Sequence, residues 1–381
     1  WNSSANGFET GDVGGNLVLL STQTASSSAT ISFTSDIDST YKEYIFTFND
    51  MHPATDAVEF EFQADTGTNT SYNQTITSTT FSAYHTEADD SAALSYAGGR
   101  DIAQGTTFQT LTHGLDNDND SCCAGTLHIF EPSSTTFVKH FFSDVNVYNA
   151  DGSQRCLHSG YFNTTTAITR FQFKMNSGNI DAGVNSGANG LTTMSPGAMT
   201  LIKTVTASSS STVTFVHGTS DVVLDNTYPI YKVEMINVHP SSEQKFYVNF
   251  RDGGSSYDAT KTTTNFRAFH FESDSATGLA YQSGLDLAQA TGDQMIGQEI
   301  ATDNDASGIG ELWLFNPSST TYVKHFMVRF IHHYTSAAPG VVDNYTAGYC
   351  NTTTAIDGIQ FKFNSGNIDA GTFKLYGIKD S

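Results

Sequence analysis

Apolar and polar residues alternate along TISFTS (30–35), AVEFEFQ (57–63), ITRFQFKM (168–175) and IQFKFN (359–364). A period of two puts successive side chains on opposite faces, so these stretches predict strands with one face buried. Thr, Phe, Tyr and Val, which suit a pleated surface, supply most of them. No amphipathic helix longer than about two turns is discernible. Turn clusters such as DTGTN (65–69), EPSSTT (131–136) and NPSSTT (316–321) separate the strands at the ~8–12-residue spacing of an antiparallel sandwich or barrel.

The pattern is written twice. EPSSTTFVKHF (131–141) returns as NPSSTTYVKHF (316–326), and GYFNTTTAI (160–168) as GYCNTTTAI (348–356). TASSSAT (24–30) matches TASSSST (206–212), DMHP (50–53) matches NVHP (237–240), and RDIAQ (100–104) matches LDLAQ (285–289). A repeat this long exceeds the ~20–50 residues of solenoid units, so each copy should be a domain with its own core. The expected organisation is an N-terminal arm (1–5) and two repeats (6–188 and 189–381) from an internal duplication. Each repeat should be an all-β, antiparallel β-sandwich of nine or ten strands in jelly-roll-like order, with a closed barrel as the second choice.

The octet NSGNIDAG occurs at 176–183 and again at 364–371. After the second copy TFKLYGI alternates as a terminal strand does, with Gly366 and Gly371 allowing tight backbone. After the first, only VNSGA precedes NGLTT. The first repeat is therefore expected to lack its last strand. Native proteins seldom leave such an edge open. The place equivalent to 372–378 is expected to be filled by the N-terminal arm around 1–8, or by strand addition from a neighbouring subunit.

Charge narrows the partners. Lys and Arg number 17 against 39 Asp and Glu, a formal net charge of −22. With no long basic stretch, nucleic acid is not an expected partner. No apolar run reaches the ~18 residues that span a bilayer, and WNSSANGF has neither the basic nor the apolar region of a signal peptide, so membrane insertion is not expected. Translation cannot begin at Trp1, so residues before it are expected to have been removed or left out. Cys122, Cys123, Cys156 and Cys350 lack the pairing of a zinc or redox motif. They read as buried free thiols or as one bridge from Cys122 or Cys123 to Cys156. Sequons at Asn69, Asn73, Asn163, Asn344 and Asn351 matter only on a glycosylating route.

Three histidines recur in register: His52 with His239, His85 with His270, and His140 with His325. None shows metal-site spacing, and His52, His239, His140 and His325 are read as structural. The acidic loop LDNDND (115–120) matches ATDND (301–305), which sets Asp118 and Asp120 against Asp303 and Asp305. Alternate carboxylates are hard oxygen ligands for calcium, although Ser121 and Leu127 stand where an EF-hand needs Gly and Glu. Calcium is the one cofactor considered; otherwise none is expected. Glu59 and Glu61 share a strand face about 7 Å apart, within glycosidase range, but the second repeat has no counterpart. The nucleophile elbow, P-loop, dinucleotide fingerprint and HExxH motifs are all absent, so no enzyme is expected. Tyr72, Tyr96, Tyr257 and Tyr281, in loop-like surroundings, are the candidates for stacking on sugars.

At STYKEYIFTF, PSSTTFVKHF, GYxNTTTAI and SGNIDAGTFKLYGIK the sequence resembles a group of poorly characterised virion proteins of marine tailed phages. The resemblance covers most of both repeats and brings no catalytic residues. It implies a capsid decoration, tail fibre or tail-associated component. The expected function is thus a non-enzymatic structural protein, on the virion or extracellular, whose partners are its own copies (a homo-oligomer) or other virion proteins. The alternative is a carbohydrate-binding adhesin that attaches to a cell-surface glycan.

Overall fold

The computed structural model of the chain describes residues 18–149, 152–181, 190–195, 199–303 and 306–378. The regular elements among them are strands. In the first half these are β1 (Val18–Thr24), β2 (Ile31–Phe33), β3 (Glu43–Pro53), β4 (Phe60–Thr66), β5 (Ile76–Thr86), β6 (Ala92–Tyr96), β7 (Gln109–Thr110), β8 (Cys123–Phe130), β9 (Lys139–Asn149), β10 (Gly152–Phe162), β11 (Ile168–Met175), β12 (Ile180–Asp181) and β13 (Gly190–Ser195). In the second they are β14 (Met199–Ser210), β15 (Val213–Val216), β16 (Ile230–Pro240), β17 (Gln244–Arg251), β18 (Lys261–Phe271), β19 (Thr277–Tyr281), β20 (Gln294–Ile300), β21 (Gly308–Phe315), β22 (Lys324–His333), β23 (Gly340–Cys350), β24 (Gly358–Phe363) and β25 (Ile368–Ile378). Both halves exceed the nine or ten strands expected, because pieces as short as β7 and β12 carry no readable alternation.

Each half has a large and a small antiparallel sheet. In the first half the orders are β1-β13-β3-β8-β9-β10-β5-β6, with β12 also paired to β3, and β2-β11-β4-β7. In the second they are β14-β25-β16-β21-β22-β23-β18-β19 and β15-β24-β17-β20. The two sets correspond strand for strand. From β2 to β5, and from β15 to β18, successive strands alternate between the small and the large sheet, the crossing pattern of a jelly-roll-like sandwich.

The inward positions of the alternating strands make each core. Phe173 of β11 touches the rings of Phe33, Phe46, Phe48, Phe60 and Phe62 at centroid distances of 5.1–6.2 Å, contacts worth about 0.5–1.5 kcal/mol each beyond burial. The repeated motifs form one structural unit. Lys139 donates from Nζ to Thr164 O at 2.8 Å and Lys324 to Thr352 O at 2.6 Å. The Ile168 and Ile356 amides donate to Pro132 O and Pro317 O. PSSTT, VKHF and NTTTA thus hold each other in place, which explains their joint recurrence.

The octets behave as turns, with Gly178 and Gly366 at φ of +73° and +75°, where an L side chain is strained. Gly371 lies at φ +152°. The expectation of a receptive first half is overturned. In the second half β25 runs unbroken from the octet and fits between β14 and β16. In the first, β12 pairs with β3 at Ile180 and Asp181, and β13 then fits between β1 and β3, with Leu191 opposite Phe48 and Met194 opposite Ile45. One long strand has become two pieces of the same chain, separated in sequence by 182–189. NGLTTMS carries the β-branched content of a strand, and it satisfies the edge amides that would otherwise invite a partner. The boundary at 189 moves accordingly: Gly190–Ser195 belong to the first sandwich, and the second starts with β14. The N-terminal arm lies outside the described residues.

Candidate functional site: the face between the two halves

Alternation leaves the outer positions of both large sheets free to meet. On β9, Phe141, Val145 and Val147 point into the core, while His140, Phe142, Asp144, Asn146 and Tyr148 face outward. The outer faces of β5, β8, β9 and β10 pack against those of β18, β22 and β23. Apolar contact comes from Ile45 and Ala124 against Ile230, Phe315, Met327, Ala347 and Ile378, and from Cys122 against Tyr322, Val323 and Tyr349. The Tyr148 and Tyr349 rings lie 4.7 Å apart.

Buried polar contacts set the register between the halves. Asn146 Nδ2 donates to His325 Nδ1 at 2.9 Å and to Gly348 O at 3.1 Å. With Nδ1 accepting, the proton sits on Nε2, 3.3 Å from Cys122 Sγ. Burial drives the His325 pKa down to about 3, which keeps the ring neutral. His85 Nδ1 lies 3.0 Å from Thr263 O and 3.4 Å from Asp286 Oδ2, and its Nε2 lies 3.0 Å from Asp89. Tyr349 donates its hydroxyl to Glu87, and burial is the first reason that its pKa is raised. Arg155 is bound by Asp144 on its own sheet, with Nε at 2.8 Å. Its Nη1 crosses to Val328 O at 3.2 Å and Thr346 O at 3.0 Å. The matched pair in the second half has its charges exchanged: Arg329 stands at the place of Asp144, and Asp343 at that of Arg155.

Asn316 Nδ2 donates to Asp50 Oδ2 at 2.6 Å. Burial raises the Asp50 pKa to about 7, against the opposing Asn316 hydrogen bond and the Lys324 charge. A raised carboxyl pKa favours the fold fully below about 4, and that contribution is lost as pH rises through 7. The second half carries Asn237 at this position, with the same positive φ (53° against 49°). Asp50→Asn is therefore expected to stabilise the protein at pH 7.5 by on the order of 2–4 kcal/mol, with no gain at pH 4, as read from denaturant midpoints.

Near the middle of the face the sheets diverge around a cleft of about 650 Å³. Its walls include Trp313, Phe142 and Tyr345, together with the Lys232–Glu311 ion pair at 2.8 Å and the hydrogen-bonded His128 Nδ1 and Glu43 Oε1 at 2.7 Å. Phe142 stacks on His128 at 4.4 Å.

The candidates read from sequence fall mostly outside this face. Tyr72 is not a surface residue: it is buried, at φ +46°, and its amide donates to Asp65 Oδ2 at 2.8 Å. Tyr96 is exposed and bonds Asp101, whereas Tyr257 and Tyr281 are half-buried. His52 and His239 each bond a main-chain carbonyl of the acidic loop, Asp118 O at 3.0 Å and Asp303 O at 3.3 Å. His140 and His325 part company, the first exposed and the second buried between the halves. Asp118, Asp120 and Asp303 join no metal-binding cluster among the described residues, and Asp305 lies outside them. Glu59 is paired with Arg100 at 2.8 Å and Glu61 with Lys174 at 3.1 Å. All four cysteines are buried and free. The residues that join the halves, Arg155, Asn146, Glu87 and Asp50, were not singled out, although the charge exchange between 144/155 and 329/343 was present in the sequence.

No family model matches the chain, and no curated protein does. Among solved structures it is similar to the infectious bursal disease virus VP2 subviral particle, at 8% identity and a TM-score of 0.11, over 95% of this chain and 81% of that one. A likeness of that size carries no functional argument.

Proposed function

We propose that the chain is a non-enzymatic structural protein of a virion that works by assembly on the particle surface, as capsid decoration, fibre or tail-associated component. The observation that carries this reading is the use made of the large sheets. Their outer faces are association surfaces, with buried polar groups that specify one docking register. The resemblance of the repeated motifs to phage virion proteins supports it. Mass spectrometry of purified particles tests it: many copies per particle indicate shell decoration, a handful a tail or vertex device, and absence from the particle contradicts the reading.

A second reading, a glycan-binding adhesin, is favoured by the cleft, where aromatic faces sit beside charged edges as sugar recognition requires. Trp313→Ala should then abolish glycan-array binding, while leaving incorporation into particles intact.

A further inference from the structure

We propose that Lys261 and Asn249 join in an intramolecular isopeptide bond, formed by the folded chain itself with Asp293 as the proton carrier and ammonia as the leaving group. The reaction occurs once per chain and serves no outside substrate, so it is independent of the structural role. Asn249 lies on β17 of the small sheet, and Lys261 is the first residue of β18 in the large one, so the bond ties the two sheets of the second sandwich together. Lys261 Nζ lies 2.6 Å from Asn249 Oδ1, and the two residues are 0% and 3% exposed. A nucleophile held against an amide and away from water has most of the entropy of approach already removed.

Each atom of the amide faces the group that its reaction needs. Oδ1 accepts the Phe250 main-chain N–H at 2.8 Å, a donor aimed at the oxygen that takes up negative charge when the amine adds to Cγ. Nδ2 donates to Asp293 Oδ1 at 2.9 Å and to Thr291 O at 3.2 Å. Lys362 holds the other oxygen of Asp293 at 2.7 Å. Burial lowers the Lys261 pKa, against the pull of nearby Cys350, Asp293, Asp252 and Asp258, and so favours the neutral amine that can attack.

The step balances without an oxidant or a reductant. The Nζ lone pair forms a bond to Cγ, and a proton of the added amine passes to the Asp293 carboxylate. Asp293 then protonates Nδ2, the Cγ–Nδ2 bond breaks, and ammonia leaves. An amine and a primary amide become a secondary amide and ammonia, with the carboxylate restored.

Two other buried lysines show what a structural amine does in this fold: Lys139 and Lys324 donate to the main-chain carbonyls of Thr164 and Thr352. The first half replaces all three members of the triad. Strand register sets Ile76 at the place of Lys261 and Gln63 at that of Asn249, and Phe108 precedes Gln109 as Asp293 precedes Gln294. Gln63 gives its amide N–H groups to the main-chain carbonyls of Gln74, Thr106 and Thr107. Amine, amide and carboxylate thus occur together in one half only, where a buried amine costs stability unless it is paired or consumed.

Mass spectrometry of the denatured full-length chain tests this. The expected intact mass is that of the sequence less one ammonia. Trypsin should release 246–251 and 252–267 as one branched species, uncleaved after Lys261. A chain at its full sequence mass, with 246–251 recovered as a free peptide, would overturn the proposal, and this readout needs no variant to fold. Lys261→Met should keep its ammonia and yield 246–251 free; the same ammonia loss in that variant would place the reaction elsewhere and overturn the assignment. Asp293→Asn, at a half-buried site, should fold and remain largely unlinked, and a branched species at the unsubstituted yield would remove Asp293 from the reaction.

Discussion

Lowering the pH from 7 to 5 is expected to remove roughly 5 kcal/mol of the protein's stability. Four histidines are buried and neutral: burial drives His325 and His158 down to about 3, and His113 and His332 to about 4. Their partners suit the neutral ring. His158 Nδ1 faces Ser143 Oγ at 3.0 Å, His113 Nδ1 faces Gln154 Nε2 at 2.9 Å, and His332 Nε2 faces Asn344 Nδ2 at 3.1 Å. A depressed folded pKa gives stability that is present above the unfolded value of about 6.5 and lost as pH falls toward the folded value. At ~1.36 kcal/mol per unit, each ring costs about 2 kcal/mol by pH 5. Asp50 works in the opposite sense and returns about 2 kcal/mol over the same window, so the histidines win. Denaturant titrations at pH 7, 6 and 5 should show the loss. His158→Thr, which installs the residue that the second half has at Thr346, should remove about 2 kcal/mol of it. A midpoint that does not move with pH would contradict the account of these rings.

Arg155→Ala is expected to cost about 3–5 kcal/mol, because it leaves Asp144 without its counter-ion and removes the two hydrogen bonds that cross the face to Val328 O and Thr346 O. The loss should appear at the junction. Calorimetry should resolve one cooperative transition into two as the halves uncouple. Adding Asp144→Ala should cost less than it does alone, the signature of a coupled pair. Exchanging the residues, Arg155→Asp with Asp144→Arg, should rebuild the ion pair in the order seen at Arg329–Asp343 without restoring the two bonds across the face, and so recover only part of the loss. Complete recovery would mean that Arg155 acts within its own sheet alone.

The alternating strands and the all-β sandwich class were legible because a period of two and repeated turn chemistry are local properties. The octet glycines were legible for the same reason, and their positive φ agrees. Legibility ended where burial depends on a distant partner. His140 and His325 stand in the same VKHF context, yet one is exposed and the other enclosed, since only the second copy is covered by the first half. Tyr72 lies in NTSYNQ, which reads as an exposed loop, but the Asp65 carboxylate draws its amide inward. The missing strand misled in a related way. The octet's continuation is interrupted in sequence but not in the sheet, and no short-range pattern says that NGLTTMS returns to β3. The exchanged charges at 144/155 and 329/343 become meaningful only when strand register makes those positions equivalent.

The most direct measurement of the docking between the halves is disulfide trapping within one chain that carries both Glu87→Cys and Asn351→Cys, whose native side chains lie 3.5 Å apart across the face. Under mild oxidation the double variant is expected to close an intramolecular cross-link that neither single variant forms, and to migrate faster than its reduced form on a denaturing gel. A double variant that stays reduced, or that cross-links only between chains, would contradict the account.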